Sequence, residues 1–591
     1  MQKKLCIFGL CLSLLISLLA GCGGSTEGTA SAEQVSAETS AEVSAPEEPD
    51  AAPEPVEAES ALEASVEEPS AEDQAPAENE TITYFPVDES VEISVWMAYP
   101  PIFGGIADNG PADFSVYQEL QARTNVTLTF DSCSFIGANE AFNLMVASGD
   151  YDDILWSLAS YYTNGYDAAI NSNVIIDLTE YIEAYMPNYS AYLDKDPATY
   201  RNSVITNEGN IGYISYLEDN TNSFNQNGFC IRADWLEELG LEKPVTIEEY
   251  ENVMAGFQTE LSVAHPMYMN KNGFYFGGYL GSAFDISTDF NTSEGVGRPY
   301  YVIDGTVSFA PLEDEFYDYL SLVHDWYTKG FIDPDFITSG SDENQADNEQ
   351  IYNNEMGIWI TAANTINYNE YSDVEEGFSA EALKSPRMTA DQVLHITQQT
   401  LYVSSVASAS ISTGCDEDKY ETVFRVLDYL YTDEGITLMN WGTEDVSYTV
   451  DEDGTYHYTD LVKNNPDGYN QDVTITYYTG GSTLILGVKD PATYNDLYSE
   501  TQLAAMNVWT NADDGDYMLP TGTTILAADQ DDYNAKWSDV LTYLQECIVR
   551  FIIGDMSLES DYEFFVDSLI TMGAEDCVHY MQIAYDSYMS R

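Results

Sequence analysis

The chain has 591 residues, 101 of them acidic against 19 lysines and arginines, for a formal charge of −82. A body this acidic repels phosphate backbones and anionic lipid surfaces, which argues against nucleic acid as a ligand and against a basic membrane-contact patch. The length calls for more than one domain once non-globular segments are set aside.

Lys3 and Lys4 precede an apolar run over residues 5–19, too short to span a bilayer and the right length for a signal-peptide core. The run ends in Leu19-Ala20-Gly21-Cys22, which resembles the lipobox where bacterial lipoproteins are cleaved and lipidated. The expectation is a signal peptide over 1–21 and a lipid, with palmitate, on Cys22. Two acyl chains give lasting attachment where one is marginal. Residues 22–85 read as an acidic tether. From 23 to 80 there is no lysine, arginine or aromatic residue, so the stretch cannot bury enough apolar area to offset its ordering entropy. As a neutral coil it spans about 40 Å. Cys6 and Cys11 leave with the signal; Cys133, Cys230, Cys415, Cys547 and Cys577 show no C-x-x-C and no zinc-ligand spacing, and read as scattered apolar residues.

The first strand is expected over 91–96, where Val91, Ile93 and Val95 alternate with polar residues, and it runs into Tyr99-Pro100-Pro101. A helix near 116–120 and a strand over 125–130 follow. Phe142, Leu144, Met145 and Val146 then recur at helical spacing, Ser148-Gly149 stops the helix, and 153–156 reads as a short buried strand ending on Trp156. The opening is β-α-β-α-β. Ligands of open α/β sheets bind outside the carboxyl ends of strands, where Trp156 falls; a core tryptophan is the alternative. An extended passage covers 212–232. Thr246 and Glu249 form a capping box, with Tyr250, Val253, Met254 and Phe257 on one helix face. Phe316, Leu320, Val323 and Tyr327 line a helix closed by Gly330. A strand over 401–412, a helix over 420–431, a hairpin turn at 451–454 and a helical end after Trp537 complete the reading.

Several ordered stretches carry a resemblance. Residues 142–154, through Ala147-Ser148-Gly149-Asp150, are one, although Asp152 stands where the pattern has proline. Ile231-Arg232-Ala233-Asp234-Trp235-Leu236, running on through Leu239-Gly240-Leu241 and Pro244 to Glu249, is the most specific. Trp326-Tyr327 with Gly330 and Ile332-Asp333-Pro334, Thr432-Asp433-Glu434-Gly435, and Met572-Gly573-Ala574-Glu575 continue the series. Gly442-Thr443-Glu444-Asp445 departs from its pattern, with Asp445 in place of a glycine. Over about 90–591 the chain resembles the extracellular solute-binding lipoproteins of carbohydrate ABC importers, in the group that includes aldouronate and alginate oligosaccharide binders. The resemblance implies an α/β, two-lobed type II (Venus-flytrap) periplasmic-binding-protein fold with three hinge crossings and a helical carboxyl-terminal region. Mapped by motif order, the first lobe holds 86–218 and 361–411 and the second 219–360 and 412–591, with crossings near 216–226, 359–364 and 408–414. Arg232, Asp234 and Trp235 read as structural.

The same resemblance implies the ligand set. Trp156 and Trp359 are expected to clamp a sugar ring, because maltose-type relatives carry a tryptophan at both places and a flat indole covers the apolar face of a pyranose; two core tryptophans are the competing reading. Tyr99 and Tyr279 extend the platform, Trp441 and Trp509 flank it, and Asn225, Phe224 and Asn364 come from the crossings. The amide of Asn225 offers both donors and an acceptor to hydroxyls, and a turn-forming asparagine is the competing reading. Partners implied are an oligosaccharide, the permease subunits and the membrane through Cys22, with the receptor a monomer on the extracellular face. No cofactor and no metal are expected: residues 259–266, 451–454 and 513–516 lack calcium-loop spacing. G-x-S-x-G, H-E-x-x-H and P-loop patterns are missing, so the reading is a non-enzyme. A surface glycoside hydrolase or lyase, and a glycan-capturing adhesin without a transporter, stay open as alternatives. Few cations exist to meet a uronate, which favours neutral saccharides.

Overall fold

A computed structural model of the chain describes residues 84–100, 103, 105–162, 164–218, 227–269, 279–290, 299–338, 348–363, 366, 377–396, 403–481, 484–510 and 515–591. All of these fall in one compact unit, Thr81–Arg591. The signal, the lipobox Cys22 and the tether lie outside the described residues.

Among the described residues twelve strands form in chain order: β1 Glu92–Tyr99, β2 Thr127–Ser134, β3 Ile154–Trp156, β4 Ile214–Leu217, β5 Asn227–Arg232, β6 Tyr300–Ile303, β7 Thr306–Phe309, β8 Ile358–Ala362, β9 Ala380–Leu383, β10 Val403–Ile411, β11 Tyr448–Val450 and β12 Tyr456–Tyr458. The larger sheet runs β2-β1-β3-β10-β4, with β1 parallel to β2 and β3, and β10 antiparallel to β3 and β4. Alternation along β1 explains its interior place, flanked by β2 and β3. Ile93, Val95 and Met97 enter one core, while Trp96 and Ala98 enter another on the opposite face. The expected helix is Ala138–Ser148, closed by Gly149 at φ 70, a left-handed position that suits a residue without a Cβ.

The second sheet, β8-β5-β9, is antiparallel throughout. Phe229 and Ile231 of β5 face the largest core, and Cys230 faces a smaller one with Trp359. The capping box is present: Glu249 N donates to Thr246 Oγ1 at 3.3 Å, and Thr246 N donates to Glu249 Oε2 at 2.9 Å. The helix it starts, Ile247–Glu260, joins Asp314–Thr328 and the long Gln530–Ile553 around that largest core. Thus each sheet has its own core, the two-lobed arrangement expected. The five cysteines among the described residues are free thiols.

The lobe boundaries differ from those expected. β9, assigned by motif order to the first lobe, pairs with β5 in the second sheet. Helices Tyr420–Tyr429, Asp433–Trp441 and Gln471–Thr479, assigned to the second lobe, contribute Phe424, Leu438 and Val473 to the first core. The crossings therefore lie between Leu217 and Asn227, between Leu383 and Val403, and between Val488, bridged to Leu217, and helix Glu500–Thr510, which packs on β9 and β5. Only the first falls where motif order put it. Trp359 lies within β8, opposite Cys230, and 408–411 lies within β10. Order along a chain does not say which sheet a strand joins; that depends on pairing partners far away in sequence.

Candidate ligand cleft

All three crossings share one edge of each sheet. On the first, β1 ends at Tyr99 and β3 at Trp156, while antiparallel β10 begins there, with Ala409 opposite Trp156. Ser157 leaves β3 at φ 55; its N–H donates to Ser408 O at 2.9 Å and its hydroxyl donates to Val406 O. β4 ends at Leu217 and Glu218 follows. On the second sheet β5 begins at Asn227, opposite Ala362 at the end of β8, and β9 ends at Leu383, opposite Phe229. These edges face the crossings, and strand ends of this kind are where open α/β sheets bind ligands.

A small apolar cluster joins the third crossing to the second lobe: Ala363, Tyr494 and Met506, with Tyr498, Leu503 and Trp509 packed against them. Trp509 lies across the start of β5. Its Nε1 donates to Phe229 O at 3.0 Å, and a Cβ at Gly228 would overlap the indole, so only glycine permits this approach. Beside the cluster, Lys489 N donates to Leu217 O at 2.8 Å, which sets Lys489 next to Glu218. Burial raises the Glu218 carboxyl above the usual carboxylate range, with Lys489 opposing, and burial lowers the Lys489 ammonium, with Glu218 and Asp490 opposing.

The expected ligand residues scatter. Trp156 is 5 % exposed in the first core and Trp359 is 0 % exposed in the smaller second-lobe core, so the two indoles pack in separate cores. Strand alternation is the reason: Ile358 and Ile360 take the face toward the large core and send Trp359 to the other face, against Tyr268 and Phe378. Tyr99 is half-buried at the end of β1, 6.4 Å from Phe103. Tyr279 is buried edge-on to Phe229 at 5.6 Å. Trp441 is a core residue whose Nε1 donates to Asp490 Oδ2 at 2.8 Å and whose ring meets Tyr458 at 4.7 Å. Trp509, half-buried, packs beside the third crossing, and Trp156 ends β3 at the crossing edge of the first sheet. Phe224, Asn225 and Asn364 lie outside the described residues. Glu218 and Lys489 were not anticipated. Lys489 carries one available signal: it is the only basic residue between Lys463 and Lys536.

No protein-family model matches the chain. Its fold is that of the two-lobed solute-binding proteins. The extracellular solute-binding protein of Bifidobacterium longum subsp. infantis superposes with a TM-score of 0.68 at 18 % identity, covering 85 % of this chain and 99 % of that one. The alginate-binding protein AlgQ2, without calcium ion, gives 0.63 at 21 % identity over 85 % and 99 %. Among curated proteins, the fructooligosaccharide ABC transporter substrate-binding protein FusA of Streptococcus pneumoniae is 25 % identical over 280 residues, 44 % of this chain. The chain thus spans about half (49 %) of the length of that relative. FusA in complex with kestose superposes with a TM-score of 0.64 at 18 % identity, covering 84 % of this chain and 99 % of that chain. No helix among the described residues is long and apolar enough to cross a membrane.

Proposed function

We propose that this protein is a non-catalytic receptor that captures an oligosaccharide between its lobes and delivers it to an ABC transporter permease. The observation that carries the reading is the pair of sheets joined by three crossings at one shared edge, an architecture suited to hinge closure around a ligand. FusA, named for fructooligosaccharide transport, adds the ligand class. The finer reading keeps the aldouronate- and alginate-type group as kin and a neutral saccharide as cargo. It places the receptor as a monomer on the extracellular face, held by lipid on Cys22 after removal of the signal. Calorimetry with kestose, maltotriose and a mannuronate trisaccharide tests it. Tight, non-hydrolytic binding of a neutral sugar supports the reading. Turnover of labelled oligosaccharide supports a surface hydrolase or lyase instead, and tight binding of the uronate alone reverses the choice of cargo.

A further inference from the structure

The cleft edge holds an open pair of charges. Leu217 and Val488 bridge as parallel neighbours, so the next residue on each segment, Glu218 and Lys489, stand side by side where the first and third crossings leave the lobe. Both side chains are half-buried. Opposite charges this close in a partly desolvated place ordinarily close into a hydrogen-bonded ion pair. These do not: among the described residues neither the carboxylate nor the ammonium has a side-chain hydrogen bond or ion pair. The nearby Asp490 is committed elsewhere, its Oδ2 accepting from Trp441 Nε1 at 2.8 Å and its Oδ1 from Ala492 N at 2.9 Å. What Lys489 does have is an aromatic face, its Nζ lying 4.6 Å from the centroid of the Tyr494 ring. Tyr494 stacks on Tyr498 at 5.9 Å and 10°, and both pack with Trp509 and with Ala363 from the second lobe.

A donor and an acceptor without side-chain bonds, beside the half-buried rings of Tyr498 and Trp509, match one chemical unit. Resting on the receptor reading above, we propose that Lys489 and Glu218 read a pair of neighbouring hydroxyls on a neutral saccharide. One hydroxyl oxygen accepts from the ammonium, the other hydroxyl donates to the carboxylate, and the sugar lies against the aromatic cluster of the third crossing. The pair sums to zero charge, so a neutral diol satisfies both groups. A uronate carboxylate would gain Lys489 and be repelled by Glu218 in the same gap. The pair therefore discriminates against acidic sugars as well as holding neutral ones. Its position ties recognition to closure, because the second lobe reaches the same cluster through Ala363 and Trp509.

The test uses the full body from residue 81 onward, with kestose, maltotriose and a mannuronate trisaccharide as probes. Lys489→Met and Glu218→Gln should each weaken the neutral sugar that binds best by about tenfold or more, the usual size for a hydrogen bond to a charged group. Glu218→Gln should also narrow the gap between neutral and acidic probes. As a readout independent of whether the variants fold, the wild-type protein is reductively methylated, and bound sugar should protect Lys489 by mass spectrometry. Equal affinities in wild type and in a folded variant, or methylation of Lys489 unaffected by saturating sugar, overturn this proposal and leave the receptor reading standing. Failure of every probe to bind wild type overturns the receptor reading, and this proposal with it.

Discussion

Arg232 is 1 % exposed and fully engaged. Its Nε and Nη2 form a fork on Asp234 at 2.9 and 2.6 Å, Nη1 donates to Asn354 Oδ1 at 2.5 Å, and the guanidinium lies 4.0 Å from the Trp235 ring and 4.2 Å from Phe378. This is a structural role, as the sequence reading held, and it uses the planar fork. Arg232→Lys should therefore cost about 2 kcal/mol or more in urea denaturation, with sugar affinity unchanged. Trp359→Ala should behave as a core truncation, losing about 3–5 kcal/mol, rather than as a loss of binding. A Trp359→Ala protein with native stability and no sugar binding would restore the clamp. Asp445 sits at φ 62, with its N–H donating to Tyr448 O at 2.8 Å. The turn it resembles has glycine there, and the chain keeps the left-handed conformation with a residue that tolerates it. Asp445→Ala should destabilise by about 1 kcal/mol while Asp445→Gly stays near neutral. Equal losses in the two would show that the side chain, not the backbone, matters.

At the scale of elements, the β11–β12 hairpin is pinned to helix Ala492–Leu497 by one carboxylate. Asp496 accepts from His457 Nδ1 at 2.8 Å, from Tyr458 N at 2.7 Å and from Lys463 Nζ at 2.8 Å. The bond to Asp496 holds the His457 imidazolium above its ordinary value near 6.5, and the charges of Asp496 and Asp451 add to it. A raised folded value means that the contact stabilises fully below about pH 6.5 and is lost as pH rises through the raised value. Proton NMR should show His457 titrating above its unfolded value, and Asp496→Asn should bring it down. An unshifted His457 in the wild type would remove the hairpin anchor from this account. Elements with local grammar were readable in sequence: the Thr246–Glu249 box, the Gly149 stop and the alternation of β1 all depend on near neighbours. β9 was not, because Ala380-Glu381-Ala382-Leu383 carries no β-branched residue and becomes a strand only by pairing with β5.

Across the whole molecule, the pairing that decides lobe membership is non-local, and so is the site. Lys489 comes to lie beside Glu218 only because the segment after Gly487 runs along β4, which no window of sequence reveals. The same holds at the carboxyl-terminal helix Ala574–Met589, whose body fills the second core while its end grips the first lobe. Tyr588 donates its hydroxyl to Ala198 O at 3.0 Å, and Arg591 donates to Asn202 O at 2.8 Å, Ile205 O at 2.6 Å and Asn207 Oδ1 at 2.8 Å. Arg591→Ala should lower the unfolding free energy by about 2–3 kcal/mol, read as a shift in the urea midpoint at constant slope. No shift would mean that the grip is dispensable.

The central claim is capture by closure of two lobes about three crossings. Small-angle scattering of the body from residue 81 onward, with and without a saturating neutral oligosaccharide, tests it most directly. The account predicts a smaller radius of gyration with sugar bound, fitted by rigid-body rotation of the lobes defined by the two cores. Superimposable scattering curves in the presence of a sugar that calorimetry shows to be tightly bound would contradict it.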